Sequence, residues 1–245
     1  MKIGIITGIG KGIGLDISKS FLNDGKIVIG INKTNNKQIE NLKKNKNFYF
    51  YKSDITNFKK IDSIINNIFK KYSSIDFLIN NAGVRARIPL KKAKITDYQK
   101  VFNINTLGSI NIAKNIIDKT YNNYKKIKKL KIINISSIVG IRGFKDLSVY
   151  SCSKAALDAF TKSICVEYAS RGLIINSIAP GFIETSYFKN FKKKQKLYDW
   201  TIENTPMQRW GKEKEITELI MFLINNNSDY INGTVIKIDG GWTSK

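Results

Sequence analysis

Short apolar runs of strand length alternate along this chain with stretches whose apolar residues recur every three or four positions. The runs fall at 3–7, 27–31, 48–51, 75–79, 130–135, 173–178 and 235–239. They are almost continuously apolar, as strands covered on both faces are. Between them, Ile13, Ile17 and Phe21 mark one helix face, and Ile61, Ile64, Ile65, Ile68 and Phe69 a second. A single helix is expected to carry Val101, Asn105, Gly108, Ile112 and Ile116 on one side. Asn105 is the polar member of that stripe and needs a partner inside the protein. Ala156, Phe160 and Ile164 are expected to face inward from a later helix, and Ile216, Leu219, Ile220 and Leu223 from the last. Such alternation predicts an α/β chain: a doubly wound parallel sheet of about seven strands with helices on both faces and right-handed crossovers. No linker or repeat divides 1–245, so one domain is expected. The polar, Lys-rich stretch 185–205 is expected to be a mobile insertion over the substrate.

The polar residues gather where the apolar runs end, and in an open parallel sheet those carboxyl ends form the ligand crevice. The first run ends in Thr7-Gly8-Ile9-Gly10-Lys11-Gly12-Ile13-Gly14. A glycine turn between strand and helix offers backbone N–H groups and a positive dipole end to a phosphate. The second run ends in Asn32-Lys33-Thr34. The acid that would bind a ribose 2′-hydroxyl is missing and a cation stands there, with Lys11 as another, which points to NADP(H). The third run leads to Ser53-Asp54-Ile55, the fourth to Asn80-Asn81-Ala82-Gly83, the fifth to Ser136-Ser137 and the sixth to Ala179-Pro180-Gly181.

Tyr150 and Lys154 stand four residues apart, hence on one face of a helix. A cation beside a phenol favours the phenolate, so Lys154 is expected to lower the pKa of Tyr150 and make it a proton donor or acceptor near neutral pH.

Composition narrows the chemistry. The 245 residues contain no histidine, which excludes Ser-His-Asp and Cys-His catalysis and every His-ligated metal site. Cys152 and Cys165, if on one helix, lie about 20 Å apart at ~1.5 Å per residue, too far to bridge. No metal and no disulfide are expected. That fits a cytoplasmic location, as does a first strand that starts almost at Met1 and leaves no room for a signal peptide. No apolar run reaches membrane-spanning length. The net charge of +23 could serve nucleic acid, a membrane surface or an acidic protein. The lysines are spread over every expected helix, so the composition alone can account for it, and neither nucleic acid nor membrane is expected as a partner.

Taken in order, these motifs resemble the classical short-chain dehydrogenases/reductases from end to end: Thr7-Gly8-x-x-x-Gly12-x-Gly14, Asp54, Asn80-Asn81-Ala82-Gly83, Asn105, Ser137, Tyr150-x-x-x-Lys154, Pro180-Gly181 and Thr185. The stretches 167–171, 176–185 and 231–241 are most similar to the 3-oxoacyl-[acyl-carrier-protein] reductases of fatty acid synthesis. The resemblance implies a Rossmann-type fold, a homotetramer and NADPH-dependent reduction of a carrier-linked 3-oxoacyl thioester. Reduction of a sugar, polyol or other small ketone would use the same residues. A non-catalytic basic binding protein would have no use for them.

By resemblance, Tyr150 transfers the proton, Ser137 polarises the carbonyl, Lys154 also binds the nicotinamide ribose, and Asn105 anchors a relay water. Gly8, Gly12, Ile13 and Gly14 would hold the pyrophosphate, and Lys11 and Lys33 the 2′-phosphate. Asp54 and Ile55 would border the adenine, Asn81, Ala82 and Gly83 the ribose, and Pro180, Gly181, Ile183 and Thr185 the nicotinamide amide. Arg171 matches an arginine that carrier-binding relatives use, and the lysines of 125–131 are expected beside it on the rim of the site.

Overall fold

The computed structural model describes residues 1–122, 128–186, 188–225 and 228–245. Seven parallel strands form its sheet: β1 (Ile3–Thr7), β2 (Ile27–Asn32), β3 (Phe48–Lys52), β4 (Phe77–Asn80), β5 (Leu130–Ile135), β6 (Leu173–Pro180) and β7 (Val235–Ile238). Their order is β3-β2-β1-β4-β5-β6-β7. The chain winds outward from β1 in one direction and then from β4 in the other. The crevice between β1 and β4 is therefore the switch point at which doubly wound sheets bind ligands.

Successive strand residues point to opposite faces. Ile3, Ile5, Ile29, Ile31, Ile132 and Ile175 enter a core under α3 (Phe58–Tyr72), α5 (Ser109–Asn122) and α6 (Ser148–Tyr168). Ile6, Val28, Ile133, Ile135 and Ile178 enter a second core under α1 (Gly12–Asn23), α2 (Lys37–Lys43) and α9 (Glu213–Asn225). Burial on both faces is why the strands read as solid apolar runs.

Three expectations about the helices need correction. The stripe from Val101 to Ile116 is not one regular helix. It comprises α4 (Ile95–Phe102), a π-helical turn (Asn103–Gly108) and α5. On α6, the inward face is Ser153, Leu157 and Thr161 rather than Ala156, Phe160 and Ile164. Phe160 and Ile164 reach only the edge of the first core. The stretch 185–205, expected as a polar insertion, holds two helices, α7 (Phe188–Lys192) and α8 (Gln195–Asn204). Its aromatic residues explain the order: Phe188 and Phe191 lie 5.0 and 4.9 Å from the Trp210 ring, and Trp200 5.3 Å from Trp242.

Candidate active site

The glycine turn is tied to the end of β4. The Thr7 hydroxyl accepts hydrogen bonds from the backbone N–H groups of Asn81 and Ala82, both at 3.0 Å. The Asn81 amide donates back to the carbonyls of Thr7 and Gly8, also at 3.0 Å. Gly8 has φ +72° and lies so close to Ala82 that a Cβ would sit 2.8 Å from its Cα. Gly12 has φ +63°. The Asn36 amide donates to Gly10 O at 2.9 Å and steadies the turn from below β2.

From this turn a cleft of about 840 Å³ runs along the carboxyl ends of the strands. Lys33 and Asp54 stand at one end, joined by an ion pair of 2.8 Å. Ser137, Tyr150 and Lys154 stand at the other.

The catalytic end is built from three elements. Ser137 follows β5, Tyr150 and Lys154 share one face of α6, and Asn105 lies in the π turn behind them. Ser137 lies near enough to the Tyr150 hydroxyl to draw its pKa down. Lys154 is 4% exposed and donates to Ile135 O at 2.6 Å. Its Nζ lies 5.8 Å from the centre of the Tyr150 ring. Asn105 is fully buried, and its side chain satisfies Val84 twice, accepting from its N–H at 2.8 Å and donating to its carbonyl at 2.9 Å. The same amide donates to Ser153 Oγ, which donates to Tyr150 O at 2.7 Å. Thr106 closes the link by donating to Ser153 O. Gly83 is a glycine for lack of room, since a Cβ there would lie 3.2 Å from Asn105 Oδ1.

The electrostatics correct one expectation. Burial raises the Tyr150 pKa above its ordinary value, against Ser137 and the Arg85 charge, which pull it down. The proximity of Lys154 does not reverse this. Burial also lowers Lys154 to about 8, against the pull of Asp158 one turn further on. In the free protein at neutral pH, therefore, the tyrosine is a phenol beside an ammonium.

Of the residues singled out in the sequence, the cleft is lined by Gly8, Lys11, Gly12, Ile13, Lys33, Asp54, Ile55, Asn81, Ala82 and Gly83. Ser137, Tyr150, Lys154, Pro180, Gly181, Ile183 and Thr185 line it as well. Three residues do not. Gly14 is a packing glycine, where a Cβ would lie 2.4 Å from Gly8 O and Asn81 Nδ2. Asn105 is one layer behind the cleft.

Arg171 lies just before β6, whose eight residues separate it from the site by about 26 Å at ~3.3 Å per residue. Lys128 N donates to Arg171 O, so the lysines do neighbour Arg171, but at the amino ends of the strands and not on the rim of the site. Arg171 donates to Tyr121 O at 2.6 Å and lies over the Tyr121 and Tyr168 rings. Lys125, Lys126 and Ile127 fall outside the described residues. Sequence reasoning passed over Ser153, which only its neighbours make notable. It also passed over Arg85 and Arg87, which line the cleft directly after the Asn80–Gly83 motif and could have been flagged by that position.

A family model described as enoyl-(acyl carrier protein) reductase matches residues 8–243. The chain is 34% identical over 245 residues to 3-oxoacyl-[acyl-carrier-protein] reductase FabG of Buchnera aphidicola subsp. Acyrthosiphon pisum, covering 98% of this chain and 96% of that protein. It is 31% identical over 247 residues to 2-dehydro-3-deoxy-D-gluconate 5-dehydrogenase of Bacillus subtilis, covering 100% and 95%. Among solved structures it is similar to ElxO with NADP bound, at a TM-score of 0.91 and 34% identity over 100% of this chain and 99% of that one. It is also similar to 4-hydroxyisoleucine dehydrogenase complexed with NADH, at 0.94 and 28% over 100% of both chains.

Proposed function

The chain belongs to the short-chain dehydrogenase/reductase family and is an oxidoreductase of alcohols and ketones; from that premise we propose that it uses NADPH to reduce a 3-oxoacyl thioester, brought by an acyl carrier protein, to the 3-hydroxyacyl form. The observation that carries this reading is the meeting of Ser137, Tyr150 and Lys154 at one end of a cleft that runs past the glycine turn to Lys33 and Asp54. The substrate assignment rests on the likeness to the Buchnera reductase.

The residues present fit a nicotinamide dinucleotide. Gly8, Gly10 and Gly12 leave open backbone at the amino end of α1, and Lys33, its side chain 74% exposed, is available to meet a 2′-phosphate. Lys11 would join Lys33 there, with Gly8, Gly12 and Ile13 along the pyrophosphate and Asp54 and Ile55 beside the adenine. Asn81, Ala82 and Gly83 would flank the ribose, and Pro180, Gly181, Ile183 and Thr185 the nicotinamide amide. When bound, the cofactor supplies the reducing equivalents.

The chain's own residues do the rest. Ser137 donates a hydrogen bond to the carbonyl oxygen and stabilises the charge that develops on it. Tyr150 passes its phenolic proton to that oxygen. Lys154 supplies positive charge as the phenolate forms and would hold the ribose hydroxyls; it returns a proton to the phenolate and is itself reprotonated through a water held at Asn105. Residues 185–205 cover the substrate. The enzyme works in the cytoplasm as a homotetramer, with α5 and α6 at one interface, where Val166 is 85% exposed.

Arg85 and Arg87, which line the same cleft as Tyr150, favour a second reading: action on a small anionic sugar acid, the kind of compound in the name of the Bacillus relative. NADPH oxidation measured with a carrier-linked acetoacetyl thioester and with a panel of sugar ketones separates the two. Faster turnover of the thioester is expected, and a clear preference for a sugar ketone would replace the first reading with the second.

A further inference from the structure

A side chamber adjoins the catalytic cleft, and of the roles above only the second reading reaches it, through Arg87. Arg87 and Phe144 line both spaces. The chamber has a volume of about 370 Å³ and carries four cations, Arg87, Arg142, Lys145 and Lys245. Its lining contains neither Asp nor Glu among the described residues. Elsewhere cations stand against acids, Lys33 with Asp54, Lys114 with Asp118 and Lys129 with Asp229. Asp146, the neighbour of Lys145, does not line the chamber.

The four cations are exposed at the rim of the chamber, and fixed contacts order its floor. Arg142 Nη1 donates to the main-chain oxygen of Trp242 at 3.2 Å and to the Lys245 carboxylate at 3.1 Å, which fixes its guanidinium and sets one acid group against the four cations. Phe144 stacks on Trp242 at 5.8 Å, and Trp200 of α8 meets Trp242 edge-on. A fixed guanidinium presents a fork that matches carboxylate and phosphate.

We propose that this chamber binds the anionic end of the substrate, a carboxylate or a phosphate, while the ketone lies against Tyr150. The proposal rests on the reading of the cleft as a ketone-reducing site. Two sources carry that chemistry: the carboxylate of a small polyhydroxy acid, and the phosphate of a carrier's pantetheine arm.

The test is calorimetric titration of the protein saturated with NADP+. Gluconate is compared with sorbitol, which lacks the carboxylate, and 4′-phosphopantetheine with pantetheine, which lacks the phosphate. At least one anion should bind about tenfold or more tightly than its uncharged counterpart, the advantage of a charged hydrogen bond. That advantage should shrink with added salt and disappear in Arg142→Gln and in Lys145→Gln. Lys145 makes no hydrogen bond or ion pair among the described residues, so its variant is free of the tie that Arg142 makes to the chain end.

Discrimination by gluconate alone identifies a small acid, and by phosphopantetheine alone the carrier arm. Equal binding of charged and uncharged compounds, or discrimination that survives in Lys145→Gln, overturns the chamber. NADPH oxidation with an uncharged acetoacetyl N-acetylcysteamine thioester tests the underlying reading separately. If the thioester is reduced without anion discrimination, the chamber alone fails. If anions are discriminated and no ketone is reduced, the reductase reading fails and the anion site stands.

Discussion

Tyr150 and Lys154 hold their protons under opposite pressures. Burial keeps the proton on the phenol and drives it off the ammonium, down to about 8. The group that changes state in the working range is therefore the lysine. As pH rises through about 8, Lys154 loses the charge that would bind the ribose and support the phenolate under the proposed mechanism. The value of kcat/KM for NADPH, which reports the free enzyme, is expected to fall through that region. A fall only near the ordinary lysine value would show that Lys154 is not the titrating group. Tyr150→Phe is expected to abolish turnover yet leave NADPH binding within about twofold, because it removes a transferable proton and little contact; fluorescence titration and a turnover assay check both halves. At the far end of the cleft, Lys33 is held by Asp54 and not by solvent alone. Lys33→Gln should lower the NADPH-over-NADH ratio of kcat/KM by about tenfold, since a charge-assisted contact to the 2′-phosphate is lost.

At the scale of elements, the site depends on how the π turn meets α6. Asn105 exchanges two hydrogen bonds with Val84 and has one more amide proton to place, and Ser153 takes it. Ser153→Ala is expected to leave that buried N–H without an acceptor and to cost roughly 1–3 kcal/mol, read from urea unfolding. The same variant should lower kcat, because Ser153 also joins the turn to the carbonyl of Tyr150; unchanged stability and unchanged kcat would make the bridge incidental. The apolar stripe through Val101, Ile112 and Ile116 announced a helix here. The change of winding was not legible, because it follows from partners on Val84 and α6 that are distant in the chain. The helices of 188–204 were missed for a related reason. Their lysines dominate the local composition, while Phe188, Phe191 and Trp200 find their partners only in Trp210 and Trp242.

Across the whole molecule, the two edges of the sheet differ. The carboxyl ends carry the cleft and its side chamber, and the amino ends carry Lys129, Lys131 and Arg171. Among the described residues no helix is long and apolar enough to cross a membrane. If an acidic carrier is drawn by the net charge of +23, the attraction acts mainly on encounter and is screened over about 10 Å at 0.1 M salt. Added salt is then expected to lower kcat/KM for a carrier-linked thioester several-fold while leaving an uncharged thioester nearly unaffected. Parallel salt profiles for the two substrates would show that the charge is compositional. Arg171→Glu tests docking poorly, because its side chain also ties the end of α5 to the start of β6 through Tyr121.

The strands, their parallel alignment in a doubly wound sheet, the glycine turn and the Tyr150–Lys154 pair could all be read from the chain. Each follows from spacing over a few residues: period two or a solid apolar run, period 3.6, or a turn that only glycine can make. What depends on distant residues was decided by the fold. Burial, not the neighbouring cation, controls the Tyr150 proton, since desolvation is a property of everything packed around the ring. Gly14 proved to be a packing residue, and Arg171 stands at the opposite edge of the sheet, because a strand carries its two ends far apart however close their motifs look in sequence. The four cations of the side chamber come from three places in the chain, 87, 142–145 and 245, and only the tertiary structure brings their charges together.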